Sequence, residues 1–152
     1  MAATRKRKRF HPAKYFRGLT RRQKIKREGE IAHFGAFSTG DPRAYVGFKT
    51  DRGVKTRSSS YTQRWTRRFP RAKSLESKAA VTGVPLRLIK RCYDRGMAAW
   101  RTGHRPGATQ QQWGYARVHS LLLCGKTAHT ADADILREAK RGAGARWFKR
   151  CS

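Results

Sequence analysis

Acidic residues are scarce in this chain. Nine Asp and Glu stand against 37 Lys and Arg, a formal net charge of +28 over 152 residues. Such an imbalance opposes compaction through self-repulsion, so a polyanionic partner or a crowded assembly is expected to screen it. Nucleic acid is the commonest partner of this kind; an acidic protein lattice or an anionic membrane surface would also serve. Long apolar runs are missing too. No segment reads as membrane-spanning, and the N-terminus is read as lacking a signal-peptide core. Cysteine is limited to three residues, Cys92, Cys124 and Cys151, without a CxxC pair. That odd count argues against a disulfide framework and for a reducing compartment.

Catalytic and metal signatures are equally thin. The five histidines (His11, His33, His104, His119 and His129) and the cysteines show no zinc-ligand spacing. Neither a metal, nor a cofactor, nor a small-molecule substrate is expected. Asp132 and Asp134 are the one close carboxylate pair considered, and helix capping accounts for them. No Ser or Cys nucleophile is visibly paired with His104 or His119, so an enzyme is not expected. Gly125-Lys126-Thr127 resembles the end of a phosphate-binding loop, but Ser120 occupies the place of its first glycine and the segment follows a helix rather than a strand.

What the chain does have is aromatic residues among cations. Aromatics make up 11% of it, with Trp65, Trp100, Trp113 and Trp147 among them. A fully disordered basic tail would lack these, so a small core is expected within basic, extended chain. The fold expected is mainly α: a compact helical module over residues 74–141, a long basic N-terminal arm over 1–18, and a basic tail over 142–152. Residues 19–73 between arm and module hold a helix, a short β-hairpin and a basic aromatic linker.

Local signals place the elements. Thr20 with Gln23 forms a capping box for a helix to Ile31 whose faces are mostly charged, which argues against a core role. Tyr45, Val46 and Phe48 favour a strand. With the Asp51-Arg52-Gly53 turn and a return through Val54–Tyr61 they make a hairpin over 44–61. Residues 62–73 read as linker. Ser74 caps a helix ending at Gly83, Pro85 opens one to about Trp100, and Thr109 with Gln112 caps one to about Leu123 that stops at Gly125. Thr130 or Asp132 caps the last, to about Arg141.

Three constellations could bind anions or partners. The loop Gly103-His104-Arg105-Pro106-Gly107 precedes a helix N-terminus, where backbone amides favour an anion; equally, it shapes a tight interhelical turn. Arg117, one turn after Trp113, could stack on it or bind phosphate, or could pair with a carboxylate. The basic cluster Arg5-Lys6-Arg7-Lys8-Arg9 and the aromatic-basic segments 61–73 (Arg64, Trp65, Arg67 and Arg68 foremost) and 146–150 (Arg146, Trp147, Lys149 and Arg150) could stack bases and neutralise phosphates, or lie as arms across neighbouring proteins. The N-terminal cluster also suits a nuclear-import signal.

Several runs carry a resemblance: Lys14–Leu19, Thr50–Thr56, Ser59–Thr62, Thr82–Pro85, Arg95–Gln110, Trp113–Val118, Gly125–Thr127 and Thr130–Asp132. Together, over about residues 12–140, they resemble an uncharacterised domain family found in large double-stranded DNA viruses of algae and their relatives. The resemblance implies a viral protein and carries over no catalytic residue. The expected role is a structural virion protein, a minor capsid or cement component that binds the major capsid protein and other minor proteins through basic arms. It would lie in the virion, and in the host nucleus or cytoplasm during assembly. The alternatives are a DNA-binding or genome-packaging protein, which together with contact to the internal viral membrane would use the same charge, and a nucleic-acid-processing enzyme using His104 and Arg105.

Overall fold

A computed structural model describes residues 11–151. The protein is mainly helical, with no strand among the described residues. It divides into two compact units. The first comprises the chain up to Thr56 together with Arg101–Gly107, and the second comprises Arg57–Trp100 with the chain from Ala108 onward.

The first unit is built on α1 (Arg21–Gly35). Thr20 and Gln23 form the capping box, with Thr20 N–H donating to Gln23 Oε1 at 2.8 Å and Gln23 N–H to Thr20 Oγ1 at 3.3 Å. Contrary to the charged-face expectation, α1 is a core helix, and it buries Ile31 and the side chain of Arg27. Phe16, Ile31 and Phe48 form a small apolar cluster, with Tyr15 and Phe34 against it. Beside the cluster, one Arg27 nitrogen donates to Thr50 Oγ1 and Asp51 Oδ1, both at 2.8 Å, and the other to the His104 carbonyl at 2.6 Å. A guanidinium removed from water needs this many partners to be tolerated.

That network explains why the expected hairpin over 44–61 does not form. Glu30 accepts the Lys49 amide and the Thr50 hydroxyl, each at 2.7 Å, so α1 ties down the segment through side chains instead of a strand partner. The segment coils into two 3-10 turns, Pro42–Tyr45 and Lys49–Asp51. Val46 is 78% exposed while Phe48 is 4% exposed. Residues two apart share one face of a strand, so this pair is incompatible with one. The expected arm over 1–18 is also corrected where it is described: Ala13–Phe16 is a 3-10 turn with Phe16 buried. Arg5–Arg9 lie outside the described residues.

In the second unit, α2 (Ser60–Arg68) replaces the expected return strand and linker. Ser59 caps it by accepting the Thr62 amide at 3.0 Å. The four later helices follow the sequence expectations closely: α3 (Leu75–Thr82) between the Ser74 cap and a left-handed Gly83, α4 (Leu86–Trp100), α5 (Gln110–Leu122) behind the Thr109–Gln112 capping box, and α6 (Ala133–Lys140). Leu88, Ile89, Val118, Leu121 and Ile135 are fully buried among them, each contributing roughly 2 kcal/mol by leaving water, and Cys92 is buried beside them.

The unit extends past the expected 74–141 module at both ends. Trp65 is buried, its indole N–H donating to the Ala72 carbonyl at 3.0 Å. The expected tail folds back as well. Phe148 is buried in the core and the Trp147 indole N–H reaches the Leu122 carbonyl at 2.8 Å. Lys140 Nζ donates to the Cys151 carbonyl. Cys124 and Cys151 form a disulfide across a Cα–Cα distance of 5.4 Å, which corrects the expectation of free thiols. The pair is 27 residues apart, beyond any local spacing rule, and only tertiary folding brings it together.

Asp132 is another correction. It stands at the N-cap of α6, but its side chain makes no cap hydrogen bond. Fully buried, it receives Arg117 in bidentate fashion, Nε and a terminal nitrogen each at 2.8 Å, with the Cys92 thiol donating at 3.4 Å. Burial first, then the Asp132 charge, keeps that thiol protonated.

Candidate nucleic-acid interface

Two aromatic-basic segments that are about eighty residues apart in sequence meet on the second unit. Arg64, Arg67 and Arg68 follow i, i+3, i+4 spacing on α2 and are exposed, as are Arg71 and Lys73 just beyond it. The 3-10 turn Trp147–Arg150 brings Trp147 to 5.9 Å from Phe69, ring centre to ring centre, and 6.3 Å from Trp65. The Arg68 guanidinium lies 5.0 Å from the Phe69 ring and 5.6 Å from that of Trp147, so one cation joins both segments. Arg150 sits 5.0 Å from the Trp147 ring, and Arg64 5.5 Å from that of Tyr61. A guanidinium over a ring is held in place by it while keeping donors for a phosphate.

The charge here has no internal counterweight. The sequence holds no Asp or Glu in 57–73 or in 141–151. Of the carboxylates in the second unit, Asp132, Asp134 and Glu138 are engaged by Arg117, Arg95, Arg87 and Arg91. Arg64, Arg67, Arg68, Arg71, Arg146, Lys149 and Arg150 have no carboxylate at ion-pair distance among the described residues.

A buried layer positions the loop that follows α2. Lys78, 2% exposed, donates to the carbonyls of Ala72 at 2.8 Å and Lys73 at 2.6 Å, and its ammonium stands 5.1 Å from the Tyr115 ring and 5.7 Å from that of Trp65. Burial pulls its pKa down to about 8. His119 stacks on Trp65 at 5.7 Å and its Nδ1 meets the Thr62 hydroxyl at 2.8 Å. Burial, then the Lys78 charge, push its pKa down to about 3, so the ring is neutral at ordinary pH. Lys78 does not stand out in the sequence, and His119 reads there only as a base without a nucleophile. A Lys four residues past a Ser N-cap gives no sign that it faces inward.

The expected site residues therefore separate. Arg64, Arg67 and Arg68 share one side of α2, Arg68 and Arg150 lie against Trp147, and Arg146 and Lys149 are exposed beside Trp147 in the chain. Trp65 is corrected from stacking platform to core, because its ring is only 1% exposed. Arg117 pairs with Asp132 and is not available to phosphate. His104 belongs to the first unit and is corrected likewise. It is fully buried with Nε2 2.6 Å from Asp51 Oδ2. The Gly107 amide donates to Asp51 Oδ1 at 3.0 Å. The loop does grip an anion, and the anion is the protein's own Asp51. Arg105 is half-buried.

Among curated proteins and among solved structures, none matches the chain. A family model does, over residues 12–137, which are most of the elements described above. By that match the chain belongs to DUF5824, a family of unknown function.

Proposed function

We propose that the protein binds nucleic acid through the face formed by α2 and the 146–150 segment. The observation that carries this reading is the Arg68 guanidinium shared between Phe69 and Trp147, at the join of two cationic segments without carboxylate partners. Stacked aromatic and guanidinium groups beside a row of free cations are what a phosphodiester backbone and its bases engage. The resemblance to proteins of large DNA viruses of algae suggests the setting: a virion DNA-binding or genome-packaging protein, located in the particle. The alternative, a minor capsid or cement protein holding capsid neighbours, drew its support from extended basic arms. Residues 57–73 and 142–151 are folded into the second unit rather than extended, while Arg5–Arg9 lie outside the described residues.

The test is fluorescence anisotropy of labelled single-stranded and duplex DNA with the full chain over roughly 50 to 200 mM salt. Six cations (Arg64, Arg67, Arg68, Arg71, Lys149 and Arg150) in contact would give a log–log salt slope of about −4 on single strands and about −5 on duplex. Replacing Arg68 and Arg150 together by Gln should flatten the slope by about 1.5 and weaken binding. Absence of binding at the lowest salt, or a slope unchanged by the double variant, sinks the reading. If virions are disrupted gently and the chain stays with the shells while DNA leaves, the capsid alternative takes its place.

A further inference from the structure

The first unit carries an open groove of about 570 Å³ between α1 and the 46–52 segment. That volume is in the range of small-ligand clefts. Its apolar part is formed by Val46 and by Phe34 and Phe48, whose rings stack at 5.3 Å with 14° between planes. Its cationic part is Lys26, Lys49 and Arg52, all exposed and without an ion pair among the described residues. Glu30 is the one carboxylate in the lining, and both its oxygens already accept hydrogen bonds from Lys49 and Thr50.

Gly29 gives the groove its second and independent mark. It lies inside α1, where glycine weakens a helix relative to alanine. Nothing in the fold requires it: its backbone is not left-handed, and a Cβ built there meets no atom within 4 Å. Gly29 lines the groove, and a side chain there would enter open space. Val46, 78% exposed, adds an accessible apolar side chain to the same groove.

We infer that this groove takes one nucleotide of a single-stranded nucleic acid, its phosphate at Lys26, Lys49 and Arg52 and its base against Val46 and Phe34. The inference rests on the nucleic-acid reading above and sharpens it toward single strands. Bases of a duplex are stacked and paired inward, whereas those of a single strand are free to enter a cleft. An acidic peptide would satisfy the cations but would leave the flat apolar wall without a matching surface.

The experiment compares the full chain with Gly29→Leu, which adds a bulky side chain to the groove lining. A labelled oligothymidylate of about twelve nucleotides, a duplex of equal length and a polyglutamate peptide are the probes. Leucine suits a helix better than glycine, so the thermal midpoint should equal or exceed that of the wild type. The expected result is about tenfold weaker binding of the oligothymidylate, with duplex affinity unchanged. Lys26→Gln, a surface substitution, should give a smaller loss in the same direction and serves if the leucine disturbs α1. Unchanged oligothymidylate binding in both variants overturns the inference, as does equal loss on single strand and duplex. A loss confined to polyglutamate would overturn it in favour of a peptide. If the wild type binds neither nucleic acid, the general reading falls and takes the groove with it. If the wild type binds and the variants match it, the groove alone falls.

Discussion

Gly96 of α4 and Gly114 of α5 meet backbone to backbone: a Cβ on Gly96 would stand 2.8 Å from the Gly114 Cα, 3.1 Å from the Arg117 Cβ and 3.3 Å from the Trp113 carbonyl oxygen. These are atoms that cannot swing aside. Gly96→Ala gains roughly 1 kcal/mol of helix propensity and loses more through forced separation of the two helices, since overpacking costs roughly 1–3 kcal/mol. The expected net is a destabilisation of about 1 kcal/mol, read by chemical denaturation. At Gly114 the obstacles are the Tyr93 ring edge and the Met97 Cγ, parts of side chains that can give. Gly114→Ala should therefore cost less than Gly96→Ala, and the reverse order would contradict this packing.

The same corner shows what the sequence could and could not tell. The Thr109–Gln112 box, the Ser74 cap, Gly83 and the Thr20–Gln23 box are signals read within four residues, and each sits where its spacing says. Ser59 three residues before Thr62 was an equally local signal for α2, masked by the strand-like character of Val54–Tyr61. Non-local facts were out of reach. A charge-rich α1 buries Arg27 only because Asp51, Thr50 and the His104 carbonyl, distant in sequence, converge on it. Both halves of the candidate interface were visible as aromatic-basic runs. Their meeting depends on Phe148 burial and the Trp147–Leu122 hydrogen bond, with the Cys124–Cys151 link fastening the end beyond them, none of which any spacing encodes.

Asp51 holds the first unit together. Burial alone would raise its pKa, but the His104 ring, the Gly107 amide and Arg27 outweigh that and keep it lowered. Asp51→Asn would leave Arg27 enclosed without its counter-charge, and removing one partner of a buried pair costs about 3 kcal/mol or more. Thermal unfolding should show the drop. Asp41→Asn, whose side chain touches only the exposed Arg43, should change stability far less, because a solvent-exposed pair is screened by water. Similar losses in the two variants would rule out the buried network as the cause.

His119 predicts a pH dependence. Its pKa falls from an ordinary 6.5 in the unfolded chain to about 3 in the folded one. Below pH 6.5 the unfolded state takes up a proton that the folded state refuses. The stabilisation is thus complete above pH 6.5 and is lost as pH falls toward 3, at up to about 1.4 kcal/mol per pH unit. Between pH 6 and about 4.5 carboxylates remain mostly ionised, so the difference between wild type and His119→Gln isolates this proton. A difference that stays constant across that interval would show that the ring is not held neutral.

Reduction of the Cys124–Cys151 bond should loosen the chain end without unfolding the second unit. The bond closes a loop between positions 27 apart, and the chain-entropy account assigns such a closure about 3.5 kcal/mol. Phe148 burial and the Trp147–Leu122 hydrogen bond remain after reduction, and they hold the segment independently of the sulfurs. Cys151→Ser should therefore lower the unfolding free energy by about 3.5 kcal/mol while leaving helical content intact. Its binding to DNA should weaken, because Arg150 and Trp147 adjoin the freed end. Alkylation of unreduced, denatured protein reads the bond directly. One thiol, Cys92, should react before reductant and three after it. Three reactive thiols in the unreduced protein would show that the bond is absent and leave Phe148 as the anchor of the interface.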